Sequence, residues 1–319
     1  GPMRHGVLSG VLWGLDTVVL GMALAQAPFV GTAEAVAFAA VASAFLHDAA
    51  CALWLAVYMG VRGRLRDTLR ALRSRDGLVV MAGALLGGPI GMTGYLVAID
   101  SLGPGYTAII SAFYPAFGAL LSFLVLHERM RPGQVVALLC AVCGIMGMGW
   151  ITAGTAGADV ADAGRGLLGA LLCVAGWGSE AVLCAWGMRG QDMDDQTALQ
   201  IRETTSAIVY GVVVLPLFGA WHFTAGAALT PAAGIVALAA LAGTASYLNY
   251  YRGISELGAS RAMALNVSYS AWAVVFGLLL LGDVPSPAAV VCCVVILAGT
   301  VLAACDWDEL FRRGTSRNV

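Results

Sequence analysis

Residues 165–188 read RGLLGALLCVAGWGSEAVLCAWGM. A helix crosses a hydrocarbon core with about 20 mostly apolar residues, and this run is long enough, with its one acid, Glu180, well inside it. Trp177-Gly178-Ser179-Glu180 places a carboxylate three residues after an indole, so the two side chains share a helical face. An earlier apolar run repeats the arrangement in Trp13-Gly14-Leu15-Asp16. A carboxylate inside a membrane is rare and costly, and marks a functional site by default. An aromatic face beside a carboxylate in a dry setting suits an organic cation. The recurrence predicts two halves that build one central site.

The rest of the chain has the same character. Its residues are 60% hydrophobic and 11% charged, against about 25% charged in a soluble domain, and the mean hydropathy is +0.84. An all-α, polytopic membrane protein follows. Ten segments qualify as spans: 6–27, 35–60, 77–99, 104–126, 133–153, 165–188, 197–220, 231–252, 260–281 and 286–305. All 17 basic residues are arginines. With the N-terminus inside, every arginine except Arg165 and Arg202 falls on the inner side, as positive-inside placement requires. Ten spans then put both termini in the cytoplasm. The arginine-rich 62–75 stretch reads as a solvated loop that fixes topology, not a nucleic-acid patch, and the 189–195 loop as a solvated connector. The net charge of −2 says little about partners.

The eight cysteines include Cys140 and Cys143 as a CxxC, without a second pair or a nearby histidine, and read as small apolar fillers. No phosphate-binding glycine loop, Ser-His-Asp set or zinc spacing stands outside the spans. No catalytic group, metal or cofactor is therefore expected.

The halves align. Residues 95–103 match 250–258 at an offset of 155, which also brings Tyr114 onto Tyr269, Glu128 onto Asp283, and His47-Asp48 onto Arg202-Glu203. The tryptophan motifs align at 164. Five spans per repeat is odd, so the repeats are expected to be inverted in the membrane, with a substrate site between them near the midplane. The expected units are residues 3–153 and 165–306, joined by an external linker at 154–164 and followed by a cytoplasmic tail at 307–319. Gly1-Pro2 before Met3 reads as a protease-tag scar.

Several residues are candidates for the site. Trp177 is deep in its span; Trp54, Trp150, Trp186, Trp221 and Trp307 are near span ends and read as interface anchors. Asp16 and Glu180 are candidate counter-ions or proton carriers, because burial favours the protonated carboxyl and a nearby cation the ionised one. Asn266, Tyr269 and Trp272 fall three apart and form one stripe. Tyr114 precedes Pro115, which kinks its span. Tyr247 and Tyr250 share a face and could close the inner end of a cavity. Gly87-Gly88-Pro89-Ile90-Gly91 must kink or unwind a helix, which makes Gly88, Pro89 and Gly91 a candidate hinge or a close-packing site. Arg202 needs a partner among Glu203, Asp48 and Glu180, and the repeat mates His47-Asp48 and Arg202-Glu203, with Glu180, read as an ion-pair network or a proton relay.

These strings carry a resemblance. The ten spans and five-plus-five repeat are similar to the drug/metabolite transporter superfamily, EamA branch, across essentially the whole chain. Ser9-Gly10, Trp13-Gly14, Gly88-Pro89-Ile90-Gly91-Met92, Tyr114-Pro115, Ala175-Gly176-Trp177-Gly178-Ser179-Glu180, Ile201-Arg202 with Thr205-Ser206, and Leu265-Asn266-Val267-Ser268-Tyr269 with Trp272 resemble the bacterial choline permeases that serve phosphocholine decoration of cell surfaces. Gly176 and the arginine-rich loop depart from that pattern. The resemblance implies import of choline or a related quaternary amine across a bacterial cytoplasmic membrane, coupled to protons. The residue reading agrees in kind: a cage of Trp13, Trp177, Tyr269 and Trp272, with Tyr114 and Tyr250 alongside, Glu180 balancing charge and Asn266 near the hydroxyl. The rivals are an exporter of amino acids or related metabolites on the same fold, a membrane enzyme acting on lipid head groups, and a membrane scaffold or receptor.

Overall fold

A computed structural model describes residue 1 and residues 3–156 and 163–308. Most of the linker expected at 154–164, the tail beyond 308 and Arg312, Arg313 and Arg317 are outside the described residues. Among the described residues 85% are helical, and ten helices are long and apolar enough to cross a membrane. Numbered as spans 1 to 10, they are Met3–Leu24, Ala33–Val61, Arg75–Leu102, Tyr106–Leu126, Pro132–Gly154, Ala163–Gly187, Asp195–Phe218, Pro231–Leu257, Ala259–Leu281 and Pro287–Ala304. They match the apolar segments of the sequence closely. Span 1 starts three residues earlier than its hydropathy suggests, which moves Trp13 to the middle of the helix. Span 8 continues to Leu257, so Arg252 is helical, where it pairs with Glu256 one turn on (Nε to Oε1 2.7 Å).

Span 1 packs on spans 8 and 9, and span 6 on spans 3 and 4. Span 2 packs on spans 7 and 8, span 7 on spans 2 and 3, and span 5 on span 10. Exchanging each span for the one five places along leaves this set of pairings unchanged. Spans 4 and 9 are each interrupted: helices restart at Tyr114 and at Tyr269, then pass into π-helical turns at Ser122–Leu126 and Gly277–Leu281. Both end in the left-handed conformation, at His127 (φ 57°) and Gly282 (φ 73°). Every one of these landmarks is offset by 155. Proline explains the first restart, since Pro115 has no N–H to give and sits where a helix's first turn needs none.

Helix contacts are tight because glycine lines them. In a membrane, where lipid is as apolar as leucine, close approach through small residues is a principal source of helix association. Gly6, Gly10 and Gly14 put one face of span 1 against Leu265, Ser268 and Trp272 of span 9. A Cβ on Gly14 would fall 2.7 Å from the Trp272 Cβ and 2.9 Å from the Ala273 nitrogen.

The segment after span 2 is not a free loop. Arg64 bonds Asp67 (3.1 Å), Gln196 (2.7 Å) and Asp194 (2.6 Å), and Thr68 donates to Gln200 (2.6 Å). Both stretches, 62–75 and 189–195, stay largely exposed, as their charge predicts, but a short helix at Leu65–Ala71 is fastened to the start of span 7. In the arginine-rich stretch it is Arg64 that does the fastening. Likewise Glu128, at the end of span 4, accepts from the backbone nitrogens of Ala259 (3.0 Å) and Ser260 (3.2 Å), satisfying the orphan donors at the start of span 9.

Gly14→Ala forces span 1 from span 9 and should cost about 1–3 kcal/mol, the usual penalty of overpacking. Gly21→Ala, on the same helix with open space around it, should be neutral. Melting curves of the two detergent-purified variants check the contrast.

Candidate functional site

The site is built at mid-span from four carboxylates that must find partners. Asp16 of span 1 is buried and meets His47, at the middle of span 2: the His47 Nε2 is 2.8 Å from both Asp16 oxygens. Glu180 of span 6 meets Arg202 of span 7, with Nε to Oε1 at 2.5 Å and a longer second contact at 3.5 Å. Arg202 also donates to Glu203 (2.9 Å), and Ser206 donates to Asp48 (2.5 Å). Because adjacent residues diverge on a helix, His47 turns to span 1 while Asp48 turns to span 7.

The two pairs occupy like settings. The Asp16 carboxylate lies against Gly243 of span 8, where a Cβ would come 2.6 Å from its Oδ2. The Glu180 side chain lies across Gly87 of span 3, in the space a Cβ would fill. Gly87 belongs to a π-helical turn, Leu86–Ile90, with Pro89 inside it. The wider turn accommodates a residue that cannot donate and whose ring crowds the preceding turn. Around it, Gly88 faces Ser206 and Gly91 faces Trp177, so Gly88, Pro89 and Gly91 combine unwinding with close packing.

The rings fall in two groups. Trp13 meets Tyr247 edge-on (centroids 4.9 Å) and His47 edge-on (5.9 Å), and Arg202 stands 4.9 Å over the Tyr247 ring. Trp177 meets Tyr95 (5.1 Å) and, edge-on, Tyr114 (5.5 Å), with Tyr269 and Tyr250 packed against the same core cluster. The Glu180–Arg202–Tyr247 chain connects the groups. The stripe expected on span 9 divides at the break after Asn266. Asn266 donates to Ser9 of span 1 (3.2 Å), Trp272 packs on Gly14 of span 1, and Tyr269 belongs with Tyr114 and Trp177. Glu180, expected as a counter-ion to ligand, already has Arg202.

Two participants were not among the expected site residues, Ser206 and Tyr95, and two take unexpected places: His47 as the partner of Asp16 and Tyr247 as the ring beneath Arg202. The offset of 155 carried a signal for two of them, since it pairs His47 with Arg202 and Tyr95 with Tyr250.

The comparisons with known proteins fit this geometry. The chain matches the EamA-like transporter family over residues 5–150 and 164–305, and it belongs to that family: it is a multi-pass membrane transporter. Protein LicB of Haemophilus influenzae is 28% identical over 218 residues, covering 68% of this chain and 72% of that protein. A solved crystal structure, 18% identical, superposes over 98% of both chains with a TM-score of 0.67 and so shares the fold.

Arg202→Met would leave Glu180 and Glu203 unmatched in the core, at a cost of about 3–5 kcal/mol. Adding Glu180→Gln should recover much of that loss, because it removes one of the stranded charges. Thermal unfolding of the single and double variants measures both effects.

Proposed function

We propose that this transporter imports choline or a closely related quaternary amine across a bacterial cytoplasmic membrane by proton-linked alternating access. The observation that carries the reading is the charge and ring content of the core. Four carboxylates, Asp16, Asp48, Glu180 and Glu203, share one arginine and one histidine, and five rings, Trp13, Tyr247, Trp177, Tyr95 and Tyr114, stand beside them. A core with more acids than bases favours a cation. A trimethylammonium group has no N–H to donate, so ring faces are its natural recognition, each worth about 2 kcal/mol when desolvated. Three such faces supply about 6 kcal/mol before ordering costs, most of the roughly 8 kcal/mol that a micromolar affinity needs, and the carboxylates add the rest.

In this reading the cation is met by ring faces from both groups, Trp13 and Trp272 from one side and Trp177 and Tyr269 from the other, with Tyr114 and Tyr250 beside Trp177. Asn266 serves the hydroxyl, and the carboxylates hold the charge. The exchange-symmetric packing and the landmarks 155 residues apart support two inverted five-helix repeats, 3–153 and 165–306, with both termini cytoplasmic. Gly88, Pro89 and Gly91 supply the give between repeats. An amino-acid exporter would need a cation for the substrate carboxylate, and Arg202 is already engaged by two acids.

A thermal-shift titration with choline, beside betaine, arginine and tryptophan, tests the proposal, since a ligand that binds the folded state stabilises it by mass action. Choline should give a saturable shift. Trp177→Ala should weaken it about thirtyfold, the equivalent of one ring face of ~2 kcal/mol, and Trp177→Phe should weaken it less. A shift with an amino acid and none with choline would turn the assignment to the exporter.

A further inference from the structure

Asp16–His47 and Glu180–Arg202 are one arrangement built twice. Residues 47 and 202 stand 155 apart, and the carboxylates are 164 apart, as their tryptophans are. In each half a carboxylate on one span lies against a glycine of a second and pairs with a base on a third. The halves differ in the base. A guanidinium is charged at every accessible pH, so the base beside Glu180 keeps its charge. An imidazole changes charge between about pH 5 and 8 unless its surroundings move it. Neutral His47 leaves Asp16 with one unmatched negative charge; protonated His47 cancels it.

The geometry points to the Asp16–His47 pair as the proton-carrying site, with proton and substrate cation balancing Asp16 in turn, and to Glu180–Arg202 as a fixed pair that takes no proton. This rests on the reading that the substrate is an organic cation. The imidazole has room for the step. Its Nε2 is held by Asp16, so neutral His47 carries its hydrogen there. Its Nδ1 is 3.9 Å from Asp48 Oδ1 and 3.8 Å from the Cys51 sulfur, too far for a tight bond to either, and receives the second proton. Every neighbouring element contributes to the environment: Asp16 and Trp13 from span 1; Asp48 and Cys51 from span 2; Ser206, Arg202 and Glu203 from span 7, reaching His47 through Asp48; Gly243 and Tyr247 from span 8.

A cation on the Trp13 ring sits within a ring's breadth of the imidazole, whose edge contact with Trp13 is 5.9 Å between centroids. Its arrival expels the Nδ1 proton to water, and its departure lets water return one. The proton's N–H bond breaks on loading and forms again on release, with no other reactant. Both crossing forms then carry the same net charge: Asp16 with imidazolium, or Asp16 with the substrate and neutral imidazole. Neither leaves Asp16 unmatched in the bilayer, which lowers the cost of the empty return in an apolar medium.

Two measurements on the full-length protein test this. In proteoliposomes, an inward choline gradient should raise the interior pH, with about one proton leaving per labelled choline entering. In His47→Arg and Asp16→Asn the proton count per choline should fall to background. An unchanged ratio in both variants, or choline exchange without protons in the unaltered protein, overturns the assignment. The second measurement needs no substrate. The chain has 4 histidines, so ¹³C-histidine spectra resolve His47 as the signal His47→Arg removes, or Asp16→Asn displaces if the first variant does not fold. That signal should show the doubly protonated ring in the ligand-free protein at the low end of a scan from about pH 5 upward. If choline is not carried at all, the choline reading fails, and this scan still decides the proton site: a His47 signal that stays neutral throughout overturns it, and one that carries the second proton upholds it.

Discussion

A charge inside a bilayer must be matched within the protein, and that constraint organises this molecule. Asp16 and Glu180 sit at mid-span, largely buried among the helices. Each therefore draws a base from a neighbouring helix, His47 from span 2 and Arg202 from span 7. Those bonds tie span 1 to span 2 and span 6 to span 7, and they settle which way each helix is turned about its axis. The rings follow from the same placement. Trp13 and Trp177 lie one turn from their acids, so orienting the carboxylate also brings the indole to the core.

Polar partners can meet at mid-span only if helix axes come close, and glycine provides the approach. The Asp16 carboxylate rests on Gly243 and the Glu180 side chain on Gly87; a methyl at either position would occupy the space of the acid. Close approach also accommodates the broken helices. Spans 4 and 9 interrupt their ladders beside the bundle centre, where freed backbone groups are covered by protein and not by lipid, the only setting in which irregular backbone is tolerated at that depth. The restarts at Tyr114 and Tyr269 place both tyrosines in the cluster around Trp177.

Much of this was legible in the sequence, and the remainder failed for identifiable reasons. The spans were visible because hydropathy over about 20 residues is a local signal. Tyr114, Tyr269 and the Trp-Gly motifs were visible because they recur at fixed offsets. The partner of Asp16 was not, because His47 is 31 residues away and helix periodicity says nothing about rotation between helices. The span 9 stripe is interrupted rather than continuous: the turn at Val267-Ser268 separates Asn266 from Tyr269 and Trp272, which stay three apart on one helix. The arginine-rich stretch after span 2 was read as solvated on charge alone, yet Arg64 has three partners. Composition counts charges without showing which of them are met.

The duplicated pairs show how a symmetric scaffold acquires a direction of labour. Two identical His–Asp pairs would each compete for protons and for a cation, and two Arg–Glu pairs would leave no net negative charge for either. On the proposed assignment, the half containing Arg202 holds a base that keeps its charge, while the half containing His47 holds one that can exchange it. Asp48 stands between them, bonded to Ser206 on the Arg202 side and 3.9 Å from the His47 ring on the other. A change of charge on the imidazole is therefore felt at the helix that anchors the second pair. The rigid element and the titrating element need no separate wire, because one carboxylate touches the surroundings of both.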